Sequence, residues 1–168
     1  MTAEERRKAI LETLKNSERP CNASVLAETY GVSRQVVVTD IALLRASGTA
    51  INATPRGYVL EREENGVVRR IVCRHTAYDT AKELYIIVDN GCTVQDVVVE
   101  HPVYGELIGM LQLKSRYDVG QFVAKSSQST PLSVLTDGVH LHTIVCPDEE
   151  TFERVCKALR EEKFLLEN

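Results

Sequence analysis

Residues 22–48 read NASVLAETYGVSRQVVVTDIALLRASG, and this stretch decides the fold of the N-terminal part. Asn22 or Ser24 can cap a first helix, which Gly31 ends because glycine readily adopts the left-handed backbone of a helix terminus. Ser33 caps the helix that follows, and one face of that helix carries an apolar stripe at helical spacing. The stripe consists of Val37, Ile41 and Leu44.

The flanking residues complete a small domain. Residues 3–15 have the apolar spacing and charge order of a preceding helix. Residues 51–60 favour two short strands around the turn Pro55-Arg56-Gly57. Two helices joined at a tight turn and followed by a hairpin resemble the winged helix-turn-helix of the biotin-repressor type over about residues 1–60.

The outward face of the second helix predicts DNA binding, because the N-terminal half of such a helix reaches base edges in the major groove. We expect its contacts to come from Ser33, Arg34, Gln35, Val38 and Thr39. Arg56 at the hairpin turn is a cation suited to backbone phosphates. The alternative is a three-helix protein-interaction module with the same packing.

Composition and charge place the chain among cytoplasmic globular proteins. The net charge of the 168 residues is −4, but residues 1–60 hold eight Lys and Arg against six Asp and Glu. This asymmetry favours one module that faces a polyanion. No apolar run is long enough to span a membrane. The five cysteines form no CxxC pair, and we expect them to be reduced, buried thiols.

The polar stretch at residues 61–66 predicts a boundary between two domains, residues 1–62 and residues 67–168. Strands and helices alternate after it, which favours a sheet with helices packed on it. Thr76 and Asp79 have the spacing of a capping-box variant that would open a helix at this point. The sequence therefore predicts an α+β protein.

Four residues of the second part are candidate metal ligands. His140 and His142 are two residues apart in a predicted strand, so both imidazoles lie on one face and can converge on a metal ion. His75 ends another predicted strand, and Glu83 lies on the following helix, within its second turn. Cys73 is a rival ligand. Alternatively, Glu83 is solvated and His75 is hydrogen-bonded only.

The remaining histidine, His101, stands in Glu100-His101-Pro102-Val103-Tyr104-Gly105. These residues predict a bend between strands, which serves either the fold or a ligand-binding loop.

A set of motifs occurs in order along the second part: His75, His101-Pro102-x-Tyr104-Gly105, Ser115-Arg116-x-Asp118-Val119, Pro131-Leu132-Ser133-x-Leu135-Thr136-x-Gly138, and His140-x-His142-Thr143-Ile144. Through these motifs the whole chain resembles the niacin-responsive repressors, which join a helix-turn-helix to a three-histidine (3H) domain. The resemblance implies a winged helix-turn-helix followed by a small α/β sandwich-type 3H domain.

The resemblance also implies ligands and partners. One divalent transition metal ion per chain, nickel or zinc, would be held by His75, Glu83, His140 and His142. Nicotinic acid would act as corepressor on operators of genes for NAD biosynthesis or niacin uptake, and the protein would bind DNA as a homodimer. Chemistry and motif position predict that the effector contacts His101, Tyr104, Arg116 and Phe122. Alternatively, Arg116 only forms a salt bridge at the surface.

Two other functions compete with the effector-gated repressor. The same architecture could sense the metal ion itself. An open histidine-rich site could also activate water in a metal-dependent hydrolase. The sequence offers no carboxylate that is convincingly placed as a general base, so we expect a protein that is not an enzyme.

Overall fold

The computed structural model describes residues 1–62 and 65–167. The chain divides into two compact units, Met1–Glu63 and Glu64–Asn168, and each has its own hydrophobic core. Glu63, Glu64 and Asn168, which bear on the predicted domain bounds, lie outside the described residues. None of the helices in the described part of the chain is long and apolar enough to cross a membrane.

The first unit consists of three helices and a hairpin. Its elements are α1 (Ala3–Asn16), α2 (Ala23–Tyr30), α3 (Arg34–Ala46), β1 (Ile51–Thr54) and β2 (Gly57–Leu60). Thr2 and Glu5 form a capping box at the start of α1, and the side chains of Asn22 and Ser33 cap α2 and α3. Of the two predicted caps for α2, the structure therefore uses Asn22.

The core of the first unit follows from the predicted stripe. Val37, Ile41 and Leu44 of α3 are buried together with Ile10 and Leu14 of α1. The hairpin is joined to the start of α2 by backbone hydrogen bonds between Cys21 and Tyr58. This junction needs glycine at position 57, because an added Cβ would lie 2.4 Å from the carbonyl oxygen of Cys21.

The second unit is a five-stranded sheet with helices on one face. Its elements are β3 (Val67–Arg74), α4 (Thr80–Asp89), β4 (Thr93–His101), β5 (Gly105–Leu113), α5 (Arg116–Ser126), β6 (Val139–Cys146), α6 (Glu149–Glu161) and β7 (Leu165–Leu166), with 3-10 turns at Ala77–Asp79 and Leu132–Thr136. The strand order is β5-β4-β6-β3-β7, and all recorded pairs are antiparallel.

The helix-covered face of the sheet carries the core of the second unit. Ile71 of β3 and Ile144 of β6 pack there against residues of all three helices, including Leu84, Val119 and Leu159. Strand alternation places His140 and His142 on the same face as Ile144. The candidate metal ligands of β6 therefore point into the layer between sheet and helices.

Strand β4 is irregular near its middle. Val94 pairs with Ile144 of β6 and Val98 pairs with Leu141, so the register shifts by one residue between them. Such a bulge re-aims local backbone groups. It contains Asp96, whose carbonyl oxygen and carboxylate both contact β6.

Three expectations about local structure are wrong: the cap at Thr76, the position of Glu83 in the second helical turn, and the reduced state of all five cysteines. Thr76 makes no side-chain capping bond; a 3-10 turn precedes α4, so Glu83 lies in the first helical turn and not in the second. Cys92 and Cys146 are joined as a disulfide, whereas Cys21, Cys73 and Cys156 are free thiols. The two bonded residues directly adjoin the β4–β6 pair Thr93 and Val145, which brings their side chains together.

Candidate metal centre and nucleic-acid interface

Both histidines of β6 are buried and face the layer between the sheet and the helices. His140 is 2% exposed and His142 is 3% exposed, while their neighbours Val139, Leu141 and Thr143 alternate to the other face. Their ring centroids lie 4.8 Å apart. The prediction that the two imidazoles share one face is confirmed.

His75 and Glu83 are brought to the same place by different elements. His75 follows β3, which pairs with β6 so that Cys73 lies opposite His140. Its ring lies 4.8 Å from that of His140. Glu83 projects from the first turn of α4 and is 1% exposed, so its carboxylate is buried among the imidazoles.

The Nε2 atoms of all three histidines point at this carboxylate. Nε2 of His75 lies 2.5 Å from Oε2 of Glu83, and Nε2 of His140 lies 3.1 Å and 3.2 Å from its two oxygens. Nε2 of His142 lies 3.4 Å from Oε1; it is buried and has no hydrogen-bond partner among the described residues. These four side chains form the cluster that we call the histidine–glutamate centre.

The other ring nitrogen of each histidine is committed to a backbone carbonyl. Nδ1 of His75 lies 2.7 Å from the carbonyl oxygen of Thr76, Nδ1 of His140 lies 2.8 Å from that of Gly138, and Nδ1 of His142 lies 2.6 Å from that of Asp96. A carbonyl oxygen only accepts, so each Nδ1 carries the proton. In its neutral form each ring would therefore turn an unprotonated Nε2 toward Glu83, the orientation that metal-binding histidines adopt.

Electrostatics in the centre favour positive charge beside Glu83. Burial opposes the charged form of Glu83, but His142, His140 and His75 outweigh it and hold the pKa of that carboxyl well below its usual range. Burial also opposes protonation of His75 and His142, yet Glu83 outweighs it and raises the pKa of both. The centre thus attracts a cation.

A divalent metal ion fits this donor set. Unprotonated Nε2 atoms at 2.5–3.4 Å would repel the carboxylate through their lone pairs, and three imidazolium ions in one buried cluster would repel each other. One ion between them would accept all three nitrogen donors and the carboxylate. Imidazole and carboxylate groups suit several divalent transition metals. The ion would supply the positive charge that balances the carboxylate of Glu83 and the nitrogen lone pairs.

A fifth candidate donor, Cys73, lies outside the tightest part of the centre. His75, Glu83 and His140 have ligand atoms within 4.8 Å of one another, and this group of three includes neither Cys73 nor His142, although Nε2 of His142 is 3.4 Å from Oε1 of Glu83. Burial, reinforced by the charge of Glu83, raises the pKa of this thiol. Cys73 is therefore a buried thiol beside Glu83.

The predicted DNA-facing residues of α3 lie on its solvent side. Ser33, Arg34, Gln35 and Thr39 are exposed, and Val38 is half-buried. The side chain of Ser33 accepts a hydrogen bond from the backbone N–H of Val36, which fixes the start of the helix. This exposed, capped N-terminal half is the arrangement that major-groove contact requires.

Arg56, the arginine at the hairpin turn, is less exposed than the sequence suggests. Arg56 is half-buried, and its Nε is enclosed. Its backbone N–H donates to the side chain of Thr54, which accepts at the two-residue turn. Arg56 thus belongs partly to the packing of the hairpin.

The four candidate effector residues fall in separate places. His101 stacks on Tyr104 at the β4–β5 turn, with 5.0 Å between ring centroids. Arg116 holds Asp89 with two contacts of 2.7 Å and 2.5 Å and lies over the ring of Tyr85. Phe122 packs against the core. Arg116 and Phe122 thus share α5, whereas His101 and Tyr104 lie at the β4–β5 turn.

Sequence reasoning missed several groups that build the centre. The carbonyl oxygens of Thr76, Gly138 and Asp96 orient the histidines, and the ring of Phe164 lies 5.1 Å from that of His75. Gly138 was visible as part of a motif, and its role is steric: an added Cβ would lie 2.3 Å from the carbonyl oxygen of His75. The bulge at Asp96 leaves no signal in the sequence.

Comparison with known proteins matches both units. Residues 68–168 match the model described as the 3H domain, and residues 6–59 match a model described as an HTH domain. The chain belongs to the 3H-domain family of transcription repressors. The predicted helix-turn-helix joined to a 3H domain is therefore confirmed, as is the expectation of a regulator and not an enzyme.

Two curated relatives cover nearly the whole chain. The probable transcription repressor NiaR of Thermotoga maritima is 46% identical over 166 residues, which are 98% of this chain and 95% of that protein. The transcription repressor NadR of Bacillus subtilis is 43% identical over 169 residues, 97% of this chain and 94% of that protein. The likeness thus includes both units.

Proposed function

We propose that this member of the 3H-domain family represses transcription in response to nicotinic acid, and that its second unit holds one divalent transition metal ion, nickel or zinc. The observation that supports the metal site is that the Nε2 atoms of three histidines lie 2.5–3.4 Å from the carboxylate of Glu83, while every Nδ1 contacts a backbone carbonyl oxygen. His75, Glu83, His140 and His142 are the proposed ligands.

The proposed DNA target is a double-stranded operator of genes for NAD biosynthesis or niacin uptake. Exposed Arg34 and Gln35 support this, because arginine can pair with guanine and glutamine with adenine in the major groove. We propose that a homodimer binds, since two helices then meet two half-sites about 34 Å apart. Val38, Thr39, Ser33 and Arg56 would complete the contact surface.

The proposed effector is a pyridine carboxylate that binds the second unit. Arg116 already holds one carboxylate, that of Asp89, with the two-pronged geometry that a nicotinate carboxylate needs. Tyr104, His101 and Phe122 are the proposed aromatic contacts; because they lie at separate places in the second unit, a nicotinate bound at Arg116 would contact only part of this set. Nicotinate shifts operator affinity only if it binds the DNA-competent arrangement better than the other one.

An operator-binding titration tests the proposal. The probe is a duplex selected by the protein from a random-sequence pool, and affinity is measured on nickel-loaded and chelated protein, each with and without nicotinate. We expect nicotinate to change affinity only for the loaded protein. If metal alone produces the whole change, the metal ion is the signal; if neither ligand matters, the gating model is wrong.

A matched pair of variants locates the metal. His140→Ala should lose metal binding and the nicotinate response together. His101→Ala should retain its metal, because His101 uses Nδ1 to accept hydrogen bonds from the backbone N–H groups of Val103 and Tyr104, outside the centre. Metal content is measured by elemental analysis after dialysis.

A further inference from the structure

A carboxylate is buried in the middle of α3. Asp40 is 2% exposed and lies between the core residues Val37, Ile41 and Leu44. Burying a charge without a partner is costly, so the environment of Asp40 must supply positive charge. Neither the predicted core nor the proposed DNA contacts account for this residue.

Two arginines of α1 supply that charge. Nε of Arg6 lies 2.6 Å from Oδ2 of Asp40 and its Nη2 lies 3.3 Å from Oδ1, so Arg6 makes a two-pronged contact. Nη1 of Arg7 lies 3.5 Å from Oδ1. Arg6 thus contacts both carboxylate oxygens of Asp40, and Arg7 adds a longer contact to one of them.

This contact restrains α3 in a way that the apolar core does not. Packing of Ile10 and Leu14 against the stripe of α3 is non-directional, so it tolerates small rotations of the helix. A two-pronged arginine–carboxylate contact fixes both distance and angle. Asp40 directly follows Thr39 on α3, so a contact that prevents rotation of α3 at Asp40 also holds the exposed face that carries Thr39 in place.

We infer that Asp40, in its ion pairs with Arg6 and Arg7, is a positioning residue that sets the rotation of α3 about its axis. That rotation in turn sets the preference of the protein for operator over unrelated DNA. The inference rests on the proposed DNA contact through α3. Base contacts need hydrogen bonds of correct length and angle, whereas phosphate contacts tolerate displacement. Loss of these ion pairs therefore reduces the discrimination between operator and unrelated DNA more than it reduces the general affinity for DNA.

Stability and discrimination can be separated at this site. Replacing a buried ion pair by apolar residues of similar volume is often neutral for stability. The double variant Arg6→Met/Asp40→Leu removes one positive and one negative charge, so it leaves the net charge unchanged. It also extends the apolar stripe of α3 while removing the directional contact.

The experiment compares binding to the selected operator with binding to a scrambled duplex, with nickel chloride and nicotinate present throughout. For Arg6→Met/Asp40→Leu we expect operator affinity to fall about 10-fold or more, the effect of losing one well-placed base contact. Affinity for the scrambled duplex and its salt dependence should not change, and Tm should stay within about 5 °C of the parent.

The control is the pair Glu4→Gln/Lys8→Gln on the same helix. Glu4 and Lys8 form an exposed ion pair with side chains 71% and 76% exposed, so their loss should leave both affinities unchanged. A double variant at Arg6 and Asp40 that retains the parent's operator preference overturns the inference.

Two further variants keep the outcomes distinct. Arg6→Lys retains the charge without the two-pronged contact, so it should fold and lower the operator preference about threefold. An unchanged preference in Arg6→Lys overturns the inference even if the double variant does not fold. Arg34→Ala tests the proposed function separately: if it binds operator like the parent, the proposed DNA face itself is wrong.

Discussion

The histidine–glutamate centre and the outer face of α3 are both polar, but they are built in opposite ways. The centre gathers side chains from the end of β3, from α4 and from β6, and each of them is at most 4% exposed. The face of α3 comes from one continuous segment and lies in solvent. Contacts on all sides thus fix the geometry of the buried centre, whereas the side chains on the exposed face of α3 are free to contact another molecule.

The largest expected change is the loss of metal affinity when Glu83 is replaced. Glu83→Ala removes the negative charge that the three imidazoles share, and metal affinity should fall more than about 100-fold, since even outer partners of metal ligands change affinity about 10- to 100-fold. Isothermal titration with nickel measures it. Glu106→Ala, an exposed carboxylate of β5, serves as control. Metal binding of parental strength in Glu83→Ala would exclude Glu83 as a ligand.

At the exposed face, Arg34→Ala should weaken operator binding and leave the metal in place. The loss of a two-pronged contact to guanine is expected to cost about 1–3 kcal/mol, or roughly 5- to 150-fold in affinity. Fluorescence anisotropy with operator and scrambled duplexes measures it. Lys8→Ala should bind like the parent. Equal losses on both duplexes would mean that Arg34 contacts phosphate and does not read a base.

Arg116 tests whether the effector surface includes an exposed side chain. Arg116→Ala should lower nicotinate affinity about tenfold, because hydrogen bonds to a charged group contribute about 1.5–3 kcal/mol. Lys82→Ala, which removes another exposed ion pair of the second unit, should not. Titration calorimetry measures both variants. If Arg116→Ala binds nicotinate unchanged, the contact with Asp89 is the whole role of Arg116.

The smallest expected effect is at Ser33, where stability and DNA contact overlap. Ser33→Ala removes the cap of α3 and should lower the free energy of unfolding by about 1 kcal/mol. Asn22→Ala removes the corresponding cap of α2 and should cost a similar amount. Chemical denaturation compares the two. Only Ser33→Ala should also weaken operator binding; an equal effect of Asn22→Ala would assign both residues to stability alone.

Local signals predicted the first unit well. Gly31, the cap Ser33 and the stripe of α3 each act over a few residues, so the sequence contains what they need. The ion pair of Asp40 with Arg6 escaped prediction because helical spacing alone does not show which charged residue a neighbouring helix will cover.

The centre was predicted in part, through local spacing and family resemblance. His140 and His142 share a face because a strand alternates, which is a local rule. His75 and Glu83 were candidates because one ends a strand and the other lies on the helix that follows, and the resemblance then implied that they join His140 and His142. Cys92 and Cys146 are 54 residues apart, and their pairing depends on the strand order β4-β6, which no nearby residue encodes.

Strand β7 links a segment without ligands to the histidine–glutamate centre. Leu165 and Leu166 pair with β3 just before His75, and the ring of Phe164 lies against the imidazole of His75. A substitution at Phe164 would therefore act on the orientation of His75, as residues behind metal-binding histidines do, although position 164 supplies no donor atom.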